Sequence, residues 1–405
     1  MRQTERGATD LTAKTLITGR ALRGFVDGSV AVLLPAYLLA LGLGEFEVGV
    51  LGTVTLAGSA LATLAVGAWG HRVAPRTLLL GAALLMTVTG LGFATVAAFV
   101  PLLVIAFVGT LNPGAGDVSV FLPLEHARLA GSAGTSDERT TLFARYSLAG
   151  ALSAAFGALA AGVPAWAAVR LGVPLLDALR ATFVVYALIG AAIWLLYRGL
   201  PAPTLPTAQS RPAPLGPSRG IVVKLSALFA VDAFAGGLVL NSLLSLWLMQ
   251  RFGLSLAQAG LFFFVTGLLA AASQLAAPAL ARRIGLVNTM VFTHLPANLC
   301  LVAAALAPSL PVALALLGVR ALLSQMDVPT RTAYVMSVVT PAERGAAASF
   351  TAVPRSLASA ASPALAGALF AGGWLAAPLV LCGLLKIGYD LTLWRACRGQ
   401  PLNDT

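Results

Sequence analysis

Long apolar runs recur along the whole 405-residue chain, with only short polar stretches between them. About twelve are roughly 20 or more residues long, enough for each to cross a bilayer as a helix. Their approximate spans are 15–43, 48–69, 77–99, 101–123, 141–163, 177–198, 222–250, 257–281, 286–307, 311–338, 346–371 and 375–395. The first run continues well past the length of a signal-peptide core and is expected to remain as a helix. Two polar stretches stand out. Residues 201–220, PAPTLPTAQSRPAPLGPSRG, hold six prolines and no apolar periodicity and are expected to form a semi-rigid linker. Residues 125–139, EHARLAGSAGTSDER, connect the fourth and fifth runs and are too short for a domain. The expected organisation is a tail over 1–14, six helices over 15–198, a linker over 199–220, six helices over 221–395 and a tail over 396–405.

The chain matches itself at half its length. Gly157 to Gly162, GALAAG, aligns with Gly367 to Gly372, GALFAG, at an offset of 367 − 157 = 210, and Arg145 falls on Arg355 and Asp117 on Asp327 at that same offset. One residue away, at 253 − 42 = 211, Gly42, Leu43 and Gly49 align with Gly253, Leu254 and Gly260, and Arg72 with Arg283. The pattern predicts two homologous halves.

Composition narrows the class further. The residues are 58% hydrophobic and 10% charged, against roughly 25% charged in a soluble domain, so the chain is expected to be a polytopic membrane protein. Its net charge of +11 is read as an orientation signal rather than as nucleic-acid binding. If both ends are cytoplasmic, the inner connections carry Arg72, Arg76, Arg128, Arg139, Arg198, Arg282, Arg283, Arg344, Arg395 and others, whereas the outer ones hold only Arg170, Arg180 and Arg251. The positive-inside rule then predicts a multi-pass protein of the cell (inner) membrane with both termini in the cytoplasm. Cys300, Cys382 and Cys397 lack metal-ligand or disulfide spacing. No metal, cofactor or catalytic residue is expected, because the three histidines form no zinc motif and no P-loop or nucleophile elbow is present.

Between the second and third runs the chain reads Gly67-Ala-Trp-Gly-His71-Arg72-Val-Ala74-Pro-Arg76. With twelve spans divided six and six by a linker, this loop resembles the major facilitator superfamily motif Gly-x-x-x-Asp-Arg-x-Gly-Arg-Arg/Lys. Gly67, Arg72 and Arg76 match, while His71 replaces the acid and Ala74 the second glycine. The resemblance implies an all-α fold of two pseudo-symmetric six-helix bundles and a cavity lined by helices one, four, seven and ten. It also implies alternating access, and a charged latch at this loop in which His71 or Arg72 could pair with Asp117.

Charges inside the spans supply the candidate sites. Arg20, Arg23 and Asp27 share one stripe of the first helix, with the two arginines expected to snorkel to the surface. Asp27 is either the i, i+4 partner of Arg23 or a cavity group that binds a proton or a cation. Asp232 is the second proton-coupling candidate. Arg320, Asn241, Trp247 and Gln325 are candidates for contact with substrate, Arg320 because an unpaired cation at mid-membrane depth is costly unless it serves function. Read as one helix, Arg320, Asp327, Arg331 and Tyr334 fall on one stripe. Arg72, Asp117, Arg145, Asp327, Arg331 and Arg355 are expected to form a cytoplasmic gate of ion pairs between the halves. Lys386 and Asp390 are expected to pair with each other. Ser362, Pro363 and Gly367 are similar to an antiporter kink of the family.

The leading expectation is a monomeric, proton-coupled secondary transporter that exports a small amphipathic compound. The alternatives are uptake of an anionic metabolite, suggested by Arg320 and Arg355, and a non-transporting membrane sensor or assembly protein.

Overall fold

The structure, a computed structural model, describes residues 2–114, 119–132, 135–201, 215–340 and 343–398, which form helices joined by short turns. The first three spans are α1 (Arg2–Ala40), α2 (Glu45–Trp69) and α3 (Pro75–Thr95). A fourth span starts with α4 (Phe99–Val108) and is followed by α5 (Phe121–Gly131). The half closes with α6 (Ser136–Ala160), the short α7 (Val163–Leu171) and α8 (Leu175–Arg198). The second half runs α9 (Arg219–Gly237), α10 (Asn241–Phe252), α11 (Leu256–Ile284), α12 (Leu286–Ala305), α13 (Leu310–Ser324), α14 (Asp327–Val338), α15 (Arg344–Ala361), α16 (Pro363–Ala371) and α17 (Ala377–Cys397). Among the described residues, ten stretches are helical, long and apolar enough to cross a membrane. The fourth and eleventh of the expected twelve spans are assembled from shorter pieces, α4 with α5 and α15 with α16.

Proline and glycine account for the breaks. Gly109 caps α4, and Pro113, which lacks an N–H and crowds the residue before it, stands in the gap before α5. The tenth span divides at Gln325 and Met326 because Pro329 cannot donate to the carbonyl of Gln325. Arg320 is therefore on α13, and the expected single stripe reduces to Asp327, Arg331 and Tyr334 on the buried face of α14. Ser362 and Pro363 separate α15 from α16.

The repeat is visible in the helix packing. In the first half α1 packs on α6, α3 on α8 and α2 on α4; in the second, α9 packs on α15, α12 on α17 and α11 on α13. Counted by span these are the same three pairings, first with fifth, third with sixth and second with fourth. Gly42 and Gly253, the first glycines of the 211-residue match, both have positive φ (+82° and +66°) and end the first span of their halves. That backbone region favours glycine.

The halves meet where α6 packs on α11 and α2 on α15 and α16. An even number of crossings puts both chain ends on one side, here the termini side; the opposite face is the far side. Gly49 of α2 lies so close to Pro363 and Gly367 that an added Cβ would stand 2.4 Å from a carbonyl oxygen, and at Gly260 of α11 it would stand 2.5 Å from the Ala158 carbonyl. Small residues let transmembrane helices approach in this way. Ser245 of α10 donates to the Val32 carbonyl at 2.9 Å, Thr53 accepts from the Ala364 amide at 2.9 Å, and Gln250 donates to Glu45. These contacts join the halves along the middle and far side.

Candidate functional site

The stretch expected to be only a connector contains the best-satisfied acid among the described residues of the first half. In α5, Phe121, Leu124, Glu125 and Leu129 are buried at i, i+3, i+4 and i+8, one face of a helix. Glu125 is 0% exposed. Arg23 of α1 grips it with two parallel bonds, Nη1 to Oε1 at 2.6 Å and Nη2 to Oε2 at 2.5 Å. Tyr146 of α6 and Tyr197 of α8 also donate to this carboxylate, and the Arg23 guanidinium lies 4.1 Å from the Phe121 ring centre. Arg20 and Arg23 are thus buried rather than snorkelling to the surface. The Phe121 ring and two tyrosines close over Arg23, and Glu125 brings it a counter-charge.

Because Arg23 is committed to Glu125, Asp27 is not its ion-pair partner. Asp27 is buried at 8% exposure, and the described residues give it neither a hydrogen bond nor an ion pair. Arg20 and Arg23 act on it through space.

In the second half, Asp232 of α9 accepts from Lys386 of α17 at 2.5 Å and from Arg331 of α14 at 3.2 Å. Arg331 also pairs with Asp327, one turn before it on α14. Asp327 therefore bonds within its own helix, not to an arginine of the other half, because the i, i+4 spacing presents Arg331 first. Lys386 and Asp390 do not pair either. Asp390 instead bonds His294 Nδ1 at 2.8 Å and accepts from the Asn298 amide at 3.0 Å. Both α12 partners face α17 across the packed pair, so Asp390 is satisfied without the lysine.

The remaining candidates separate. Arg320 is half-buried, and its Nε is buried without a hydrogen-bond partner among the described residues. Gln325 accepts from Gln274 of α11 at 3.3 Å, and Asn241 is half-buried at the start of α10. Trp247 is 0% exposed, with its ring 5.4 Å from that of Phe252. It packs in the buried core, and its indole Nε1 is buried with no hydrogen-bond partner among the described residues. Arg72, Arg145 and Arg355 are exposed, and Asp117 lies outside the described residues. Among the described residues, the buried ion pairs of Arg23 and of Asp327, Arg331 and Asp232 each stay within one half.

The linker is anchored at both described ends. Arg76 donates to the Arg198 carbonyl, and Arg128 to the Pro201 carbonyl at 2.6 Å. At the other end Glu343 accepts from the amides of Gly216 and of Ser218 (3.3 Å) and from the Thr340 hydroxyl (2.8 Å). Bonds from Ser218, Gly216 and Thr340 lower the Glu343 carboxyl to about 2 from its ordinary 4.5.

Comparison with known proteins agrees with this architecture. The chain is 24% identical over 411 residues to the uncharacterized membrane protein YJR124C of Saccharomyces cerevisiae, covering 92% of this chain and 91% of that one. Among solved structures, it resembles the nucleoside transporter NupG with a TM-score of 0.73 at 14% identity, covering 96% of this chain and 100% of that one. It also resembles a bacterial homologue of the iron transporter ferroportin in an inward-facing state, with a TM-score of 0.73 at 14% identity over 94% and 98% of the two chains. These likenesses establish the shared fold. The sequence model of the Major Facilitator Superfamily matches residues 16–325, and the chain belongs to that superfamily of membrane transporters.

Proposed function

We propose that the protein is a proton-coupled secondary transporter of the cell membrane that exports a small amphipathic compound, with the termini side in the cytoplasm and Asp27 as the coupling carboxylate. The observation that carries the reading is the isolation of Asp27. Glu125, Asp232, Asp327 and Asp390 all have direct cationic or imidazole partners, whereas Asp27 is buried with no bonded partner among the described residues. Low dielectric disfavours a bare carboxylate, so such a group takes up a proton when the cavity dries and gives it up when water returns. The contacts that join the halves along the middle and far side support a state closed there and open to the cytoplasm. Asp232, the second candidate, is already neutralised by Lys386 and Arg331 and suits a substrate contact better than a proton store.

A second reading, uptake of an anionic metabolite, is supported by Arg320, which has a buried Nε without an acceptor. One experiment separates the two. A deletion strain is screened for growth inhibition and metabolite accumulation, and the compounds found are then added to proteoliposomes carrying a trapped pH indicator. Proton movement opposite to an amphipathic compound supports export. Proton-independent entry of an anion supports the second reading. No flux for any compound that distinguishes the strains would sink both and leave a sensor or assembly role.

A further inference from the structure

The His294, Asn298 and Asp390 cluster joins α12 to α17, outside the spans that carry Asp27 and the Arg23–Glu125 pair. Its residues are 4, 1 and 1% exposed. Among the described residues, Asp390 has an imidazole and an amide for partners and no permanent cation. Lys386 stands one turn earlier on α17, where an i, i+4 bridge to Asp390 is within reach, yet its ammonium is on Asp232.

The charge balance of the cluster depends on one proton. With a neutral imidazole, Asp390 is an uncompensated buried anion, an expensive arrangement. With one proton more the pair is neutral overall, and the proton belongs to the pair rather than to either residue. The other groups around it are few. Tyr389 of α17 lies with its ring 6.3 Å from that of His294, and Asp232 of α9 and Lys386 are the charges that act on the pair. From the other helices packed on α12, Arg331 and Asp327 of α14 are turned to Asp232 and to each other, Arg320 of α13 neighbours Cys382, and Arg282 and Arg283 of α11 are exposed.

We propose that the His294–Asp390 pair is a second proton-binding site, and that Lys386 moves from Asp232 to Asp390 when the pair loses its proton. The exchange balances. One proton leaves to water, the lysine carries one positive charge to Asp390, and Asp232 keeps only Arg331, which Asp327 already shares. The α9 site thereby gains one net negative charge and becomes a place for a cationic group of a substrate. The consequence for substrate rests on the reading of the chain as a transporter, but the proton site does not.

The test uses full-length protein in nanodiscs with 15N-labelled histidine, His294 being assigned by the signal lost in His294→Gln. Two forms are titrated over about pH 5 to 9. One is held shut on the far side by a short bis-maleimide cross-link between Glu45→Cys and Gln250→Cys, whose parent side chains meet there, and the other is wedged open there by Gly49→Trp. The expected result is a His294 titration midpoint that differs between the forms by at least about one pH unit, a tenfold change in proton affinity, and a difference that disappears in Lys386→Gln. Equal midpoints in the two forms with Lys386 present would overturn the proposal. Should Lys386→Gln fail to fold, the comparison of the two forms still decides, since it changes nothing in the cluster. Repeating it in Asp27→Asn separates this site from the coupling role of Asp27: a midpoint difference that survives there supports the site even if Asp27 proves dispensable for coupling, and one that vanishes overturns its independence.

Discussion

Arg23 and Asp232 lie 232 − 23 = 209 residues apart, within two of the repeat offset, on the first spans of the two halves, and they carry opposite charges. Each is held by an opposite charge from the fourth span of its own half, Arg23 by Glu125 of α5 and Asp232 by Arg331 of α14. An aromatic ring accompanies each arginine, Phe121 at 4.1 Å from Arg23 and Phe229 at 5.4 Å from Arg331. The halves thus share an architecture and invert its charge.

Glu125→Gln should be among the most damaging single changes in the first half. It leaves Arg23 as a buried cation without its counter-charge, a loss of about 3–5 kcal/mol. The double variant Arg23→Gln/Glu125→Gln should recover much of that stability, and melting curves of the four proteins in detergent measure the coupling. An uncoupled, additive result would show that the pair does not act as a unit.

Gly49→Trp should favour the state open on the far side, because even a Cβ there would meet the Pro363 carbonyl at 2.4 Å. Gly81→Trp is the control, since nothing lies within 4 Å of its added Cβ. Labelling of a far-side cysteine should rise in the first variant and stay at the parent level in the second. Equal labelling of both would remove Gly49 and Gly367 from the closing surface.

The Glu343 anchor should survive mild acid. A carboxyl held near 2, below its ordinary 4.5, contributes stability that is fully present above about pH 4.5 and is lost as pH falls through about 2. Hydrogen exchange at the Gly216 and Ser218 amides should therefore be equally protected at pH 7 and pH 5, once intrinsic rates are corrected. Glu343→Ala should remove that protection at both. Loss of protection by pH 5 in the parent protein would contradict the assignment.

The fold was legible because each span must satisfy its backbone internally and present about 20 apolar residues to lipid, a signal written locally in the chain. Gly42 and Gly253 were legible only as a match between the halves, and the structure adds that both end a first span with positive φ. Partner choice was not local. Lys386 and Asp390 have the spacing of an ion pair, yet each found a partner on another span, and Arg23 passed over Asp27 for Glu125, 102 residues away. Glu125 was hidden in a polar stretch whose clue was the spacing of Phe121, Leu124 and Leu129 around it. His294 and Asn298, at i, i+4 within an apolar helix, were a similar clue to a polar face turned inward.

Paired flux measurements on Asp27→Asn in proteoliposomes decide whether Asp27 couples the cycle to protons. Folding is checked first by melting temperature and protein level. Flux driven by a pH gradient should fall to the level of empty vesicles, while exchange of labelled for unlabelled substrate without a gradient continues at the parent rate. Full gradient-driven flux in well-folded Asp27→Asn protein would contradict that coupling role.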